Sequence, residues 1–192
     1  DFLTNTIHEV YPNNGGAKAL EALINKIKFQ GEKRSYDCII GISGGIDSSF
    51  LALKALDWGL NPLLVHVDAG WNSELAVYNI EQLVNYCNFD FHTHIVDWDE
   101  MRDVQLAYLK SGIANQDVPQ DHIFYASLYK FAIKNKIKIL LNGSNHNTEG
   151  IFPKSWQYSN MDSVNLMAIH KKFGKLKLKN YETISFFDHY IN

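Results

Sequence analysis

Between Cys38 and Ser49 the chain reads Cys38-Ile39-Ile40-Gly41-Ile42-Ser43-Gly44-Gly45-Ile46-Asp47-Ser48-Ser49. An apolar run passes through a Ser/Gly turn, and the helix-forming segment Phe50-Leu51-Ala52-Leu53-Lys54-Ala55-Leu56 follows without a break. Strand, glycine turn and helix in that order aim several backbone N–H groups, and the positive end of a helix dipole, at one point. An anion of phosphate size is the natural occupant. The pattern is not the lysine-containing P-loop, because no lysine follows the glycines, and not the dinucleotide fingerprint, because the two glycines are adjacent. An ordinary Gly-rich connection is the bland reading. The strand and helix on either side favour the anion.

Composition narrows the class. The chain has 192 residues, enough for one α/β domain with its own core. With 46% hydrophobic and 20% charged residues it reads as globular. A net charge of −3 argues weakly against a dedicated nucleic-acid binder, although eight histidines are counted as neutral. The only cysteines, Cys38 and Cys87, form neither a metal spacing nor a disulfide framework, so a reducing cytoplasm is expected. No apolar run approaches the ~20 residues needed to span a bilayer, and no signal peptide opens the chain. It starts without Met and stops at Asn192 without a clear ending, so a fragment of a longer protein is expected.

Helical spacing of Leu20, Leu23, Ile24 and Ile27 predicts a first helix over 17–29, after the turn Pro12–Gly16. Predicted strands follow at Cys38–Ile42, Pro62–Asp68, Phe91–Val96 and Ile137–Asn142. Between them lie predicted helices over 47–58, 74–87 (Leu75, Ile80, Leu83 and Val84 inward), 101–109 and 117–135, the last with Pro119 in its first turn. Strands alternating with crossover helices predict an α/β fold: a parallel twisted sheet with helices on both faces. Beyond Gly150 a helix is expected over 166–173, and Lys175–Lys179 reads as a strand with one charged face. Its lysines could meet an anionic substrate, though a solvated edge is the favoured reading. The whole is read as one domain: a helical lead-in over 1–35, a nucleotide-binding core over 36–150 and a truncated, substrate-side segment over 151–192.

Ligands of open parallel sheets sit at the carboxyl ends of the strands. Four such ends are polar here: Ser43–Ser49, His66–Trp71, Asp97–Asp99 and Asn142–Gly150. A nucleotide triphosphate in that crevice requires Mg2+, held by carboxylates and phosphate oxygens. Asp47 lies inside the loop and Glu149 follows the fourth strand; the two become neighbours if those strand ends are adjacent.

Ser-Gly-Gly-x-Asp-Ser after a strand resembles the pyrophosphate loop of the ATP pyrophosphatase superfamily, which includes NAD, GMP and asparagine synthetases; the fold this implies is adenine nucleotide alpha hydrolase-like. Gly143-Ser144-Asn145-His146-Asn147-Thr148-Glu149 resembles the Gly-Thr-Asp-His-x-x-Glu segment of NAD synthetases. There the Glu and the loop Asp bind magnesium, which makes Asp47 and Glu149 the expected metal ligands. Alone, Glu149 reads equally well as an acid stabilised at a helix N-terminus.

A closer resemblance rests on Asp68–Val77, Asn115–His122 and Trp156-Gln157-Tyr158, which look like the N-acetyl sugar amidotransferases of bacterial surface-polysaccharide (lipopolysaccharide) synthesis. Members of that family are longer and often carry a Cys-containing segment ahead of the loop, so a truncated form is expected. The resemblance implies a carbon–nitrogen ligase. ATP adenylates the N-acetyl carbonyl of a nucleotide-linked sugar, and ammonia from a separate glutaminase subunit displaces AMP. Ser43, Gly44, Gly45, Ser48 and Ser49 would hold the β,γ-phosphates; Gly41, Asp47 and Gly143 complete the loop contacts; His66, Val67 and Asp68 would flank the adenosine. Asp47 and His146 are the catalytic candidates, His146 as a proton carrier against the commoner reading of a structural histidine. Trp71, Asn72, Gln120 and Asp121 are the substrate candidates. Trp156 and Tyr158 could stack on a ring or pack in the core. No nucleophile is required, so Cys38 and Cys87 read as packed thiols.

Three other readings stand beside this one. The first is another ATP pyrophosphatase, such as an ammonia-dependent NAD synthetase. The second is a nucleotide-binding module without catalysis. The third, a tRNA-modifying enzyme, is disfavoured by the acidic balance.

Overall fold

Successive side chains along the first two strands enter different cores. In β1 (Cys38–Gly41) Ile39 joins one buried cluster, while Cys38 and Ile40 join another. In β2 (Pro62–Asp68) Leu63, Val65 and Val67 go one way and Leu64 the other. Strands apolar on both faces must be covered on both faces. The computed structural model describes residues 15–144 and 159–185. Within them β1, β2, β3 (Phe91–Ile95) and β4 (Leu140–Leu141) form one four-stranded parallel sheet, in the order β3-β2-β1-β4.

Six helices among the described residues flank it. On one face α1 (Gly15–Gly31), α2 (Ile46–Asp57) and α3 (Glu74–Cys87) pack Ile27, Ala52, Ala55, Ile80 and Leu83 against Ile40 and Leu64. On the other, α4 (Trp98–Ser111), α5 (Val118–Lys134) and α6 (Ser163–Phe173) bring Met101, Val104, Ile123, Leu128, Leu166 and Ile169 against Ile39, Val65 and Val67. The expected α/β architecture is therefore present. No helix among the described residues is long and apolar enough to cross a membrane.

Chain order fixes where a crevice opens. From β1 the path moves outward through β2 to β3, then returns over the opposite face to β4, on the other side of β1. Strand order reverses between β1 and β4. That is the switch point at which open α/β sheets place ligands, beyond the carboxyl ends of the strands.

Several expectations are corrected. The segment 175–179 is not a strand. The backbone N–H groups of Lys175 and Leu176 donate instead to Asp103, and those of Lys179, Asn180 and Tyr181 donate to Glu100. Two buried carboxylates on α4 thus take the donors a ladder would have used, and only Leu178 of the apolar pair packs against the core. The fourth strand shrinks to Leu140–Leu141, although Ile137 and Ile139 still alternate between the two cores and the Ile139 carbonyl accepts from Ile39 N. Leu75 is 67% exposed because it sits in the first turn of α3, beyond the sheet's edge of contact. In α1, Ile27 is buried while Leu20 and Leu23 remain largely exposed.

Candidate functional site

The pyrophosphate-like loop leaves β1 at Gly41 and becomes α2 at Ile46. Gly44 has φ +77°, a conformation that disfavours a side chain, and a Cβ there would stand 2.4 Å from the Ala76 carbonyl oxygen. The first turn of α3 therefore lies directly on Gly44, and Asn79 of the same helix donates through Nδ2 to the Gly44 carbonyl at 3.1 Å. Asn79 was not singled out from the sequence; its only signal is its place one turn after Ala76. From the other side Gly143, just past β4, approaches α2 so closely that a Cβ would lie 2.7 Å from Ser48 N. The loop is held between α3 and the exit of β4, at the switch point.

Hydroxyl groups fold the loop onto itself. Ser48 Oγ accepts from Ser43 N at 3.2 Å and lies 3.2 Å from Ser43 Oγ. Gly45 N donates to Ser43 Oγ at 3.3 Å, and Ser49 Oγ donates to the Gly45 carbonyl at 2.8 Å. Gly45 is the N-cap of α2 and supplies no side-chain acceptor. By contrast Ser73 caps Ala76 N in α3, Asp97 caps Glu100 N in α4, and Asp162 caps Asn165 N in α6. The N–H groups of Ile46, Asp47 and Ser48 in the first turn of α2 precede the first intrahelical bond, from Ser49 N to the Gly45 carbonyl, and have no side-chain cap. They and the dipole favour an external anion.

The other candidates fall around this loop. Asp47 is exposed in the first turn of α2. Among the described residues no three His, Cys, Asp or Glu side chains cluster as a ready-made metal site. Mg2+ does not demand one, since it is held through one or two carboxylates together with substrate phosphates. The exposed Asp47 carboxylate fits that role, and magnesium there would neutralise phosphate charge. Glu149 and His146, like Trp156 and Tyr158, lie outside the described residues.

At the end of β2, His66 is buried, Val67 points into the core, and the carboxylate of Asp68 accepts from Gly70 N at 2.8 Å. His66 Nδ1 meets the Ile42 carbonyl at 2.9 Å and Nε2 meets Asn72 Nδ2 at 3.0 Å. Trp71, half exposed, stands edge-on to Trp98 with ring centroids 4.8 Å apart.

Gln120 and Asp121 lie in the first turn of α5. Asp121 Oδ2 accepts from Asn160 Nδ2 at 2.6 Å, and the buried His122 Nδ1 lies 2.9 Å from the Asn160 carbonyl. Asn160 thus ties the 115–122 motif to the segment leading into α6, a partnership the sequence did not signal. Both cysteines are buried. Burial, with Asp37 nearby, pushes the Cys38 thiol up to about 12, and burial raises Cys87 too. Neither offers a thiolate at neutral pH.

Fold and loop together define the class: an adenine nucleotide alpha hydrolase-like α/β domain. Solved structures of other proteins share this fold, among them two synthetases. The NMN synthetase from Francisella tularensis superposes with a TM-score of 0.54 at 18% identity, over 80% of this chain and 68% of that one. The NH3-dependent NAD synthetase from Campylobacter jejuni superposes with a TM-score of 0.51 at 15% identity, over 81% and 72%. At such identity the likeness is one of fold. No protein-family model and no curated sequence matches the chain.

Proposed function

We propose that the chain is an ATP-dependent ligase that activates an amide carbonyl by adenylation and lets ammonia displace AMP. One observation carries this reading: the uncapped first turn of α2 opens at the switch point, clamped by Gly44 under Ala76 and by Gly143 against Ser48. A site of backbone donors suits the β,γ-phosphates that leave as pyrophosphate. The fold shared with an NMN synthetase and an NH3-dependent NAD synthetase supports the same chemistry.

The resemblance of Asp68–Val77 and Asn115–His122 to N-acetyl sugar amidotransferases narrows the substrate to a nucleotide-linked N-acetyl sugar, with ammonia delivered by a separate glutaminase. The acetamido oxygen attacks the α-phosphorus, an O–P bond forms, and the bond to pyrophosphate breaks. Ammonia then adds at the activated carbon and the C–O bond to AMP breaks, leaving an acetamidino group. An amide is a poor electrophile, so the chain's contribution is positioning and charge stabilisation. Ser43 to Ser49 orient the phosphates, Asp47 would hold magnesium, which would neutralise phosphate charge, and His146 and Glu149 complete the proposed set.

The test is pyrophosphate release from Mg-ATP with ammonium present, across UDP-N-acetyl sugars and deamido-NAD. Release that depends on an acetamido sugar supports the reading. Release that depends on deamido-NAD replaces it with NAD synthesis, and silence with every acceptor overturns it.

A further inference from the structure

The residues that α2 buries are small: Ser48, Ala52 and Ala55. Its large apolar residues face outward instead, with Ile46 83%, Phe50 59%, Leu53 37% and Leu56 39% exposed. They recur at steps of three and four, so they form one stripe along the helix. Beside the stripe, between α2 and α3, runs a groove of about 690 Å3 whose lining includes Ile46, Leu53, Leu83 and Tyr86. Tyr86, on α3, is 74% exposed. No residue that lines the groove is charged. Of the charged residues on α2, Lys54 and Asp57 pair with each other at 2.9 Å, and Asp47 belongs to the phosphate loop.

A helix apolar on its inner and outer faces is ordinarily covered on both. An apolar, uncharged surface that carries aromatic residues has the composition of an interface core. We infer that this face is where two copies of the chain meet, α2 of one copy beside α2 of the other across a two-fold axis. Area sets the scale: the exposed parts of Ile46, Phe50, Leu53, Leu56 and Tyr86 amount to roughly 600 Å2. With the polar groove residues Ser49, Asn79 and Gln82 added, the patch approaches the ~800 Å2 that each partner buries in a stable interface. Charge selects the occupant. A patch without net charge offers nothing to a strongly acidic or basic partner, or to an anionic membrane. A second copy brings a neutral surface of equal area, and a two-fold axis lets each stripe meet the other copy's groove. The inference does not rest on the ligase reading, although the groove begins at Gly44 and Gly45 and the contact borders the phosphate loop.

Sedimentation velocity of the full chain over about a hundredfold range of concentration tests this. The unmodified chain should pass from monomer to a species of twice the mass and stop there. Phe50→Asp and Tyr86→Asp should each weaken the dimer at least about tenfold, because a charge then sits in the apolar contact of both copies. Both positions are largely exposed, so circular dichroism and the urea midpoint at low concentration should match the unmodified monomer. Leu109→Asp is the control: Leu109 is 57% exposed on α4, on the opposite face, and this variant should dimerise normally. A monomer at every concentration overturns the inference. So does a dimer that Phe50→Asp and Tyr86→Asp leave intact, or one that Leu109→Asp weakens as much. Assembly beyond two copies overturns the two-fold arrangement, and a monomer that pairs with a glutaminase through Phe50 and Tyr86 gives the face to that subunit instead.

Discussion

Two places in the molecule gather backbone N–H groups toward a point, and they end differently. At the start of α2 the donors have no side-chain cap. Between residues 175 and 181 five donors are spent on carboxylates: Asp103 accepts from Lys175 and Leu176 at 2.8 and 2.9 Å, and Glu100 accepts from Lys179, Asn180 and Tyr181. Asp103 also meets His170 Nε2 at 2.8 Å. Burial alone would raise the Asp103 pKa, but the two N–H groups and His170 outweigh it and hold the carboxyl below its ordinary range. The same chemistry makes a strut where the protein supplies the anion. At the start of α2 the protein supplies none, and the proposed function puts a phosphate there.

The largest expected effect breaks the functional half alone. Asp47→Ala should reduce pyrophosphate release by about a hundredfold or more if it handles charge at the reacting phosphates as proposed. Asp47 is exposed, so urea denaturation should move by no more than about 0.5 kcal/mol. Normal turnover would remove Asp47 from the site.

Asp103→Asn should do the converse, destabilising the chain by about 3 kcal/mol in urea, because buried donors lose a charged acceptor. Pyrophosphate affinity of the folded fraction should not change. A loss of affinity that matches the loss of stability would mean the two regions are one cooperative unit.

Much of this contrast was hidden in the sequence. The loop, the strands and the helices were legible because their residues are local: apolar runs, adjacent glycines and a proline in a first helical turn, Pro119. The alternation Lys175-Leu176-Lys177-Leu178-Lys179 suggested a strand because the pattern does not record what satisfies the backbone. The acceptors sit more than seventy residues away, on a helix. Asn79 and Asn160 were missed for the same reason, since their partners, Gly44 and Asp121, lie 35 and 39 positions distant.

A smaller effect concerns pH. Burial lowers the His122 pKa from 6.5 despite its contact with Asn160. The unfolded chain takes up that proton first as pH falls, so stability declines below pH 6.5. Asp103, held below 3.8, adds a second loss as pH falls past that value. Denaturation between pH 7 and 5 should show the first slope, and His122→Asn should flatten it. A pH-independent midpoint over that range would contradict the assignment.

The smallest expected effect is on the lysines themselves. Lys177 is exposed, and Lys177→Ala should change urea stability by no more than about 0.5 kcal/mol and leave Mg-ATP affinity alone. A tenfold weakening of Mg-ATP would revive the reading in which this charged face meets an anionic substrate.

The most direct measurement follows backbone amides by NMR while Mg-pyrophosphate is titrated into the full chain. Gly44, Gly45, Ile46, Asp47 and Ser48 should shift together and saturate, while Lys175, Leu176, Lys179, Asn180 and Tyr181 stay still. Shifts confined to the second group, or none in the first at saturating pyrophosphate, would contradict the claim that the uncapped start of α2 is the anion site.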